Sequence, residues 1–230
     1  MTYGLLQCDH VDGANRHLAG DYLDMFSAWL PGDWRVFDLT AEDFPAPDAC
    51  DAWVATGSRH SVNDDIPWIH RFADLVRAID AARAPFAGVC FGHQMMGHAL
   101  GGRVSKSPRG WGIGVQTFHV HQAEPWMDPP LSTVNLFMSC QDQVEVLPPG
   151  ATVIASNVHC PVALFRHNSL LGIQGHPEWR MPYARALLEQ RTPRLGQAYA
   201  SHALGTLDRV RHSSEVAHWV RNWFALHARR

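Results

Sequence analysis

Through the first hundred residues, compact apolar runs alternate with stretches whose apolar positions recur every three or four residues. Residues 3–8, 34–39, 50–56 and 84–89 have strand length and strand composition. Between them, residues 18–30 place Leu23, Phe26, Trp29 and Leu30 at helical spacing and stop at Pro31-Gly32. Asp64-Asp65-Ile66-Pro67 opens a second helical pattern, with an aspartate as its expected cap and proline in its first turn. That helix turns Ile69, Phe72, Leu75, Val76 and Ile79 to one face. A third helix is expected over residues 93–100, directly after the fourth strand. Strands and helices alternating at this rhythm predict a mostly parallel sheet joined by right-handed crossovers.

After Gly101-Gly102 the texture changes. Strands expected over 115–120, 134–138, 152–155, 161–165 and 170–174 are shorter and more alternating, as in an antiparallel or mixed extension of the sheet. A helical C-terminus follows Pro182. Its last element carries Val216, Trp219, Val220, Trp223 and Phe224 at i, i+3, i+4, i+7 and i+8, a stripe that should pack on the body. No repeat, low-complexity stretch or linker breaks the chain. The expectation is one α/β domain over 1–230, with a core over about 1–180 and C-terminal helices over 181–230.

Composition adds exclusions. The 230 residues are 46% hydrophobic and 18% charged, ordinary for a folded chain, and the net charge is −3. That gives no footprint for nucleic acid or an anionic membrane. Arg209, Arg211, Arg221, Arg229 and Arg230 are expected on a solvated helix face. The five cysteines (Cys8, Cys50, Cys90, Cys140, Cys160) include no CxxC pair, so neither a disulfide framework nor a zinc knuckle is expected. No apolar run approaches a membrane span and no leader pattern opens the chain. A cytoplasmic protein with reduced thiols is the resulting expectation.

Candidate chemistry centres on Cys90. In Gly88-Val89-Cys90-Phe91-Gly92 a cysteine sits between a strand and a helix, with glycines two positions to either side. A strand that turns sharply into a helix needs small residues there, which is the logic of a nucleophile elbow. The helix N-terminus also favours thiolate over thiol. A cysteine nucleophile needs a base, and the base needs an orienting group. Among fifteen histidines, His176 stands out because Gly175-His176-Pro177-Glu178 follows the last strand. Pro177 keeps His176 extended, and side chains two apart on an extended segment face one way. Glu178 can then fix the imidazole. His119 and His121 alternate on a strand but lack a third ligand, so no metal site is expected. Trp111 is either a pocket wall or a packed loop aromatic, and Asp142 either touches substrate or is a turn carboxylate.

These motifs resemble the class I glutamine amidotransferases, flavodoxin-like enzymes that release ammonia from glutamine without a metal or organic cofactor. The resemblance runs from the first strand to about Trp179. It implies Cys90 as nucleophile, His176 as base and Glu178 as its orienter. It further implies the N–H groups of Gly57 and Phe91 as oxyanion hole, and Gln94, Ser139 and Cys140 as substrate contacts. Cys140 stands where the family commonly has histidine, and Gly175 where it commonly has an aromatic. The Thr56-Gly57-Ser58 loop lacks the double-glycine-proline form of biosynthetic subunits, and the chain continues only about fifty residues past Glu178. Together these features resemble the stand-alone GMP-synthase-like branch that includes γ-glutamyl peptidases. The expected activity is hydrolysis of the γ-glutamyl amide of glutamine or a γ-glutamyl conjugate. The alternatives are a glutaminase subunit passing ammonia to a separate synthase, a non-hydrolytic γ-glutamyl-binding module, and a cysteine peptidase using His93 or His98.

Overall fold

The computed structural model describes residues 1–228. In chain order the elements are β1 (Thr2–Gln7), α1 (Arg16–Ala19), α2 (Tyr22–Trp29), β2 (Asp33–Asp38), β3 (Ala52–Ala55), α3 (Pro67–Ala81), β4 (Phe86–Val89) and α4 (Phe91–Ala99). They continue with β5 (Arg103–Lys106), β6 (Gly112–Val120), β7 (Thr133–Cys140), β8 (Asp142–Val146), β9 (Thr152–Ser156), β10 (Leu164–His167), β11 (Leu170–Ile173), α5 (Met181–Leu195), α6 (Gln197–Leu204) and α7 (Ser213–Leu226).

The main sheet has the order β2-β1-β3-β4-β11-β10-β9-β6-β7. Its β2-β1-β3-β4-β11 half is parallel. From β11 outward every pairing is antiparallel. The fold is thus α/β and flavodoxin-like, with a mostly parallel centre and an antiparallel extension. Alternation along the central strands divides the core into two layers. Leu5 and Val54 pack with Met25 and Phe26 of α2 and Trp219, Val220 and Phe224 of α7. Their sequence neighbours Leu6, Trp53 and Ala55 face the other way, against Phe72 and Val76 of α3 and Met95 and Met96 of α4. Parallel strands buried on both faces read as unbroken apolar runs, and for that reason β1, β3 and β4 were plain in the sequence.

Several expectations need correction. The helix expected over 18–30 divides at Gly20 (φ 74°), and Asp21 caps α2 through a capping box with Asp24. No aspartate caps α3: its N-cap is Ile66, while Asp64 accepts from the Ser61 N–H and Asp65 bonds His70. The two acids are drawn to nearer partners. The strand expected over 161–165 lies later, as β10. The small β5–β8 sheet was not expected, because β5 is short and polar. The basic C-terminal residues do not share one helix face: Arg209 and Arg211 precede α7, Arg209 exposed and donating to the Val115 carbonyl, Arg211 over the Phe137 ring at 4.8 Å. Arg221 is exposed on α7, and Arg229 and Arg230 lie outside the described residues. The α7 stripe is buried as expected, with Trp219 Nε1 donating to Pro129 O and Trp223 Nε1 to Ser169 O.

Candidate active site

The centre of the sheet places Cys90 and His176 side by side. β4 and β11 are parallel neighbours with Val89 opposite Ile173, so Cys90 and Gln174 leave the sheet at the same carboxyl edge. The Cys90 N–H donates to Ile173 O at 2.8 Å and closes that edge. Ligands bind at such an edge because the loops and helix N-termini converge there.

Cys90 has φ 51° and ψ −98°, a conformation that costs a non-glycine residue on the order of 1–3 kcal/mol. Its surroundings hold it there. A Cβ on Gly88 would lie 2.5 Å from the Gly92 backbone, and one on Gly92 would lie 2.7 Å from Ala55 Cβ. The Gly92 N–H also donates to Thr56 O at 3.1 Å, fastening the start of α4 to the end of β3. The glycine spacing read from sequence therefore has a packing cause.

His176 enters from the other side. Its backbone N–H donates to Phe137 O of β7 at 2.7 Å. Gly175 serves this approach, since a Cβ there would lie 2.7 Å from Leu136 Cβ. His176 Nδ1 bonds Glu178 Oε1 at 2.8 Å, and both side chains are buried. A carboxylate accepts only, so Nδ1 is the donor and Nε2 is left for Cys90. The Trp179 ring stacks on the imidazole at 3.6 Å between centroids and 13° between planes, fixing the ring plane.

The charges follow from these contacts. Cys140 lies beside Cys90 on the wall of one cavity, and its thiol is the main reason the Cys90 pKa falls well below the ordinary thiol value. Burial opposes it and His176 reinforces it. Burial would lower the His176 pKa, but Glu178 and Cys90 carry it up to about 9. These contacts bias Cys90 toward thiolate and His176 toward imidazolium.

The structure brings the remaining sequence-predicted residues to the same place. A Cβ on Gly57 would stand 3.0 Å from His176 Cε1 and 3.7 Å from Cys90 Cβ, so this loop lies against both. Phe91 supplies the first amide of α4, one of the groups without an intrahelical acceptor. Gln94, Ser139 and Cys140 line a cavity of about 270 Å³ that reaches Cys90. The Gln94 amide is engaged, donating to Asp142 O at 2.6 Å and to Gln174 Oε1 at 3.3 Å. Asp142 itself accepts from Ser61 Oγ at 2.6 Å. Trp111 lines that cavity and also packs, under Arg191 and Arg194. His93 and His98 do not join Cys90. His93 is buried edge-on to Phe165 with its pKa pushed by burial down to about 3, and His98 is exposed near the end of α4.

A second cavity of about 300 Å³ also opens on Cys90, walled by Tyr22, Trp179, Tyr183 and Arg191. Arg191 borders both cavities. It reaches down from α5 to donate to the Ser139 carbonyl and hydroxyl, and no carboxylate among the described residues pairs with it. Sequence reasoning missed Trp179 and Arg191. The first is adjacent to the HPE motif and could have been flagged there; the second lies in a helix whose pattern carries no sign of a site. Among the described residues, no group of three or more His, Cys, Asp or Glu is placed to hold a metal ion.

A family model described as "Glutamine amidotransferase class-I" matches residues 56–191. The chain belongs to the class I glutamine amidotransferase family. It is an enzyme of this amidotransferase and hydrolase type. Gamma-glutamyl peptidase 5 of Arabidopsis thaliana is 30% identical over 172 residues, covering 70% of this chain and 68% of the relative. A GMP synthase [glutamine-hydrolyzing] of Neisseria meningitidis is 36% identical over 111 residues, covering 46% of this chain and 21% of that longer protein. The solved structure of a glutamine amido transferase from Methylobacillus flagellatus superposes with a TM-score of 0.76 at 22% identity, covering 100% of this chain and 95% of that one. In this amidotransferase, Cys140 lies on the same cavity wall as the elbow cysteine. No helix among the described residues is long and apolar enough to cross a membrane.

Proposed function

We propose that the chain hydrolyses the γ-glutamyl amide bond of a γ-glutamyl conjugate or of glutamine, through a γ-glutamyl thioester on Cys90. One observation carries this reading: a strained elbow cysteine beside a histidine that a buried glutamate orients. The Cys90 thiolate attacks the γ-carbonyl carbon, and the electron pair of the C=O bond moves to oxygen. The amides of Gly57 and Phe91 stabilise that oxyanion. The His176 imidazolium protonates the leaving nitrogen as the C–N bond breaks. The same imidazole then takes a proton from water, which attacks the thioester and frees the thiolate.

The cavities favour a leaving group larger than ammonia. The space beside Trp179 and Tyr183 is about 300 Å³, against roughly 30 Å³ for a molecule the size of water. The γ-glutamyl part then occupies the side walled by Gln94 and Cys140. Arg191, charged and without a carboxylate partner among the described residues, suits a carboxylate of the substrate at the junction. The similarity to γ-glutamyl peptidases of Arabidopsis thaliana supports the same substrate class.

The similarity to GMP synthase favours a second reading, a glutaminase subunit delivering ammonia to a separate synthase. A panel of glutamine, glutathione and γ-glutamyl amines, assayed with the isolated protein, separates the two. The conjugate reading expects faster turnover of γ-glutamyl compounds that carry a bulky leaving amine. Preference for glutamine, at a rate that rises only with a synthase partner, would favour the second.

A further inference from the structure

The position of Cys140 gives it a chemistry that amide hydrolysis does not need. It is the last residue of β7, and Cys140 and Cys90 both line the wall of one open cavity of about 270 Å³. Neither cysteine is engaged in a disulfide. A thiolate held beside a second thiol, with access from solvent, is the arrangement in which a sulfenic acid is captured before it oxidises further. We propose that Cys90 and Cys140 form a reversible disulfide on exposure to a hydroperoxide, with Cys90 as the peroxide-reactive thiol and Cys140 as the thiol that resolves it.

The steps balance without any further reagent. The Cys90 thiolate attacks a peroxide oxygen, so an S–O bond forms and the O–O bond breaks. The sulfur is oxidised by two electrons and the peroxide is reduced, its departing alkoxide or hydroxide taking the proton of His176. Cys140 then loses its proton and attacks the Cys90 sulfenic sulfur, forming the S–S bond and breaking the S–O bond. Hydroxide leaves and combines with the Cys140 proton as water. The overall change is two thiols and one hydroperoxide to one disulfide, one alcohol or water, and one water.

The chemistry of the two thiols differs in the way such a pair requires. The neighbouring thiols shift each other in opposite directions, Cys90 down and Cys140 up, so one is the nucleophile toward peroxide and the other stays protonated until needed. Cys160 lies near enough to interact with both but is fully buried and borders neither cavity. It is not the resolving thiol. While the disulfide stands, Cys90 cannot attack a γ-carbonyl, so oxidation switches hydrolysis off and protects the nucleophile from irreversible oxidation.

The inference rests on the proposed function only for its regulatory meaning, because the disulfide can be mapped whether or not hydrolysis is detected. The test is treatment of the intact, reduced protein with hydrogen peroxide, followed by peptide mapping by mass spectrometry without reduction. The expected result is a cross-linked pair joining the Cys90 and Cys140 peptides, a loss of two hydrogens in the intact mass, and full reversal by dithiothreitol. Cys140→Ser is expected to carry Cys90 on to sulfinic acid, seen as two added oxygens that dithiothreitol does not remove. Should that variant fail to fold, wild-type mapping decides alone. Cys140 remaining free while Cys90 is over-oxidised, or a Cys140–Cys160 link in place of the expected one, would overturn the proposal.

Discussion

The backbone N–H of Cys90 donates to the carbonyl of Ile173 at 2.8 Å. Through that bond the elbow and the strand that delivers His176 form one rigid edge, although they lie more than eighty residues apart in sequence. Side chains that must meet to within hydrogen-bonding distance are thus mounted on neighbouring strands of the buried half of the sheet.

The elbow tolerates no side chain at its flanks. In Gly92→Ala the new Cβ would begin 2.7 Å from Ala55 Cβ and 2.9 Å from Ala55 O. Overpacking of this kind costs about 1–3 kcal/mol, and on the proposed mechanism a ~1 Å displacement of the Cys90 thiol costs on the order of 10²-fold in rate. Urea unfolding should show the loss of stability, and steady-state kinetics a fall in kcat larger than that loss would suggest.

That elbow was legible because its signal is local: glycines at fixed offsets around a cysteine between a strand and a helix. His176 and Glu178 were legible for a related reason, since Pro177 fixes the backbone that aligns them. What the sequence withheld were contacts made by tertiary packing. Arg191 reaches the site only because α5 is packed so that its guanidinium meets Ser139 near the end of β7, and the placing of Cys140 beside Cys90 depends on where β7 ends. His93 illustrates the converse. It stands three residues from Cys90, yet the helix turns it into the core against Phe165.

The pH profile should carry the mark of His176. Its pKa is raised from the ordinary 6.5 to about 9, so the imidazolium is present at neutral pH and is lost as pH rises through about 9. The stability it lends the folded state is likewise complete below about 6.5 and gone above about 9. Hydrolysis by wild type should decline on that alkaline limb. In Glu178→Gln the carboxylate that helps raise the pKa is absent, and the limb should move to lower pH. A profile of kcat/KM against pH for both proteins checks this; an unmoved limb would assign it to another group.

Arg191→Ala should weaken substrate binding more than it slows chemistry. Losing a hydrogen bond to a charged group costs about 1.5–3 kcal/mol, or roughly 10–150-fold in KM. Arg191→Lys keeps the charge but not the planar fork, and should recover only part of the loss. Kinetics with γ-glutamyl substrates bearing and lacking a second carboxylate would show which carboxylate Arg191 meets.

The C-terminal helix is part of the core and not an appendage. Trp219 is 1% exposed, and its Nε1 donates to Pro129 O at 2.9 Å. Trp219→Ala should destabilise the fold by about 3–5 kcal/mol, as removal of buried aromatics does. Calorimetry would record a lower Tm, while any residual folded fraction should keep its KM.

The central claim is that Cys90 carries the acyl group. Wild type and Cys90→Ala should be mixed with a γ-glutamyl substrate, quenched in acid within the first turnovers, and weighed intact, with amine release followed in parallel. The account predicts a γ-glutamyl adduct on wild type that maps to the Cys90 peptide and is discharged by hydroxylamine. It predicts neither adduct nor amine release from Cys90→Ala. Undiminished amine release by Cys90→Ala would contradict it.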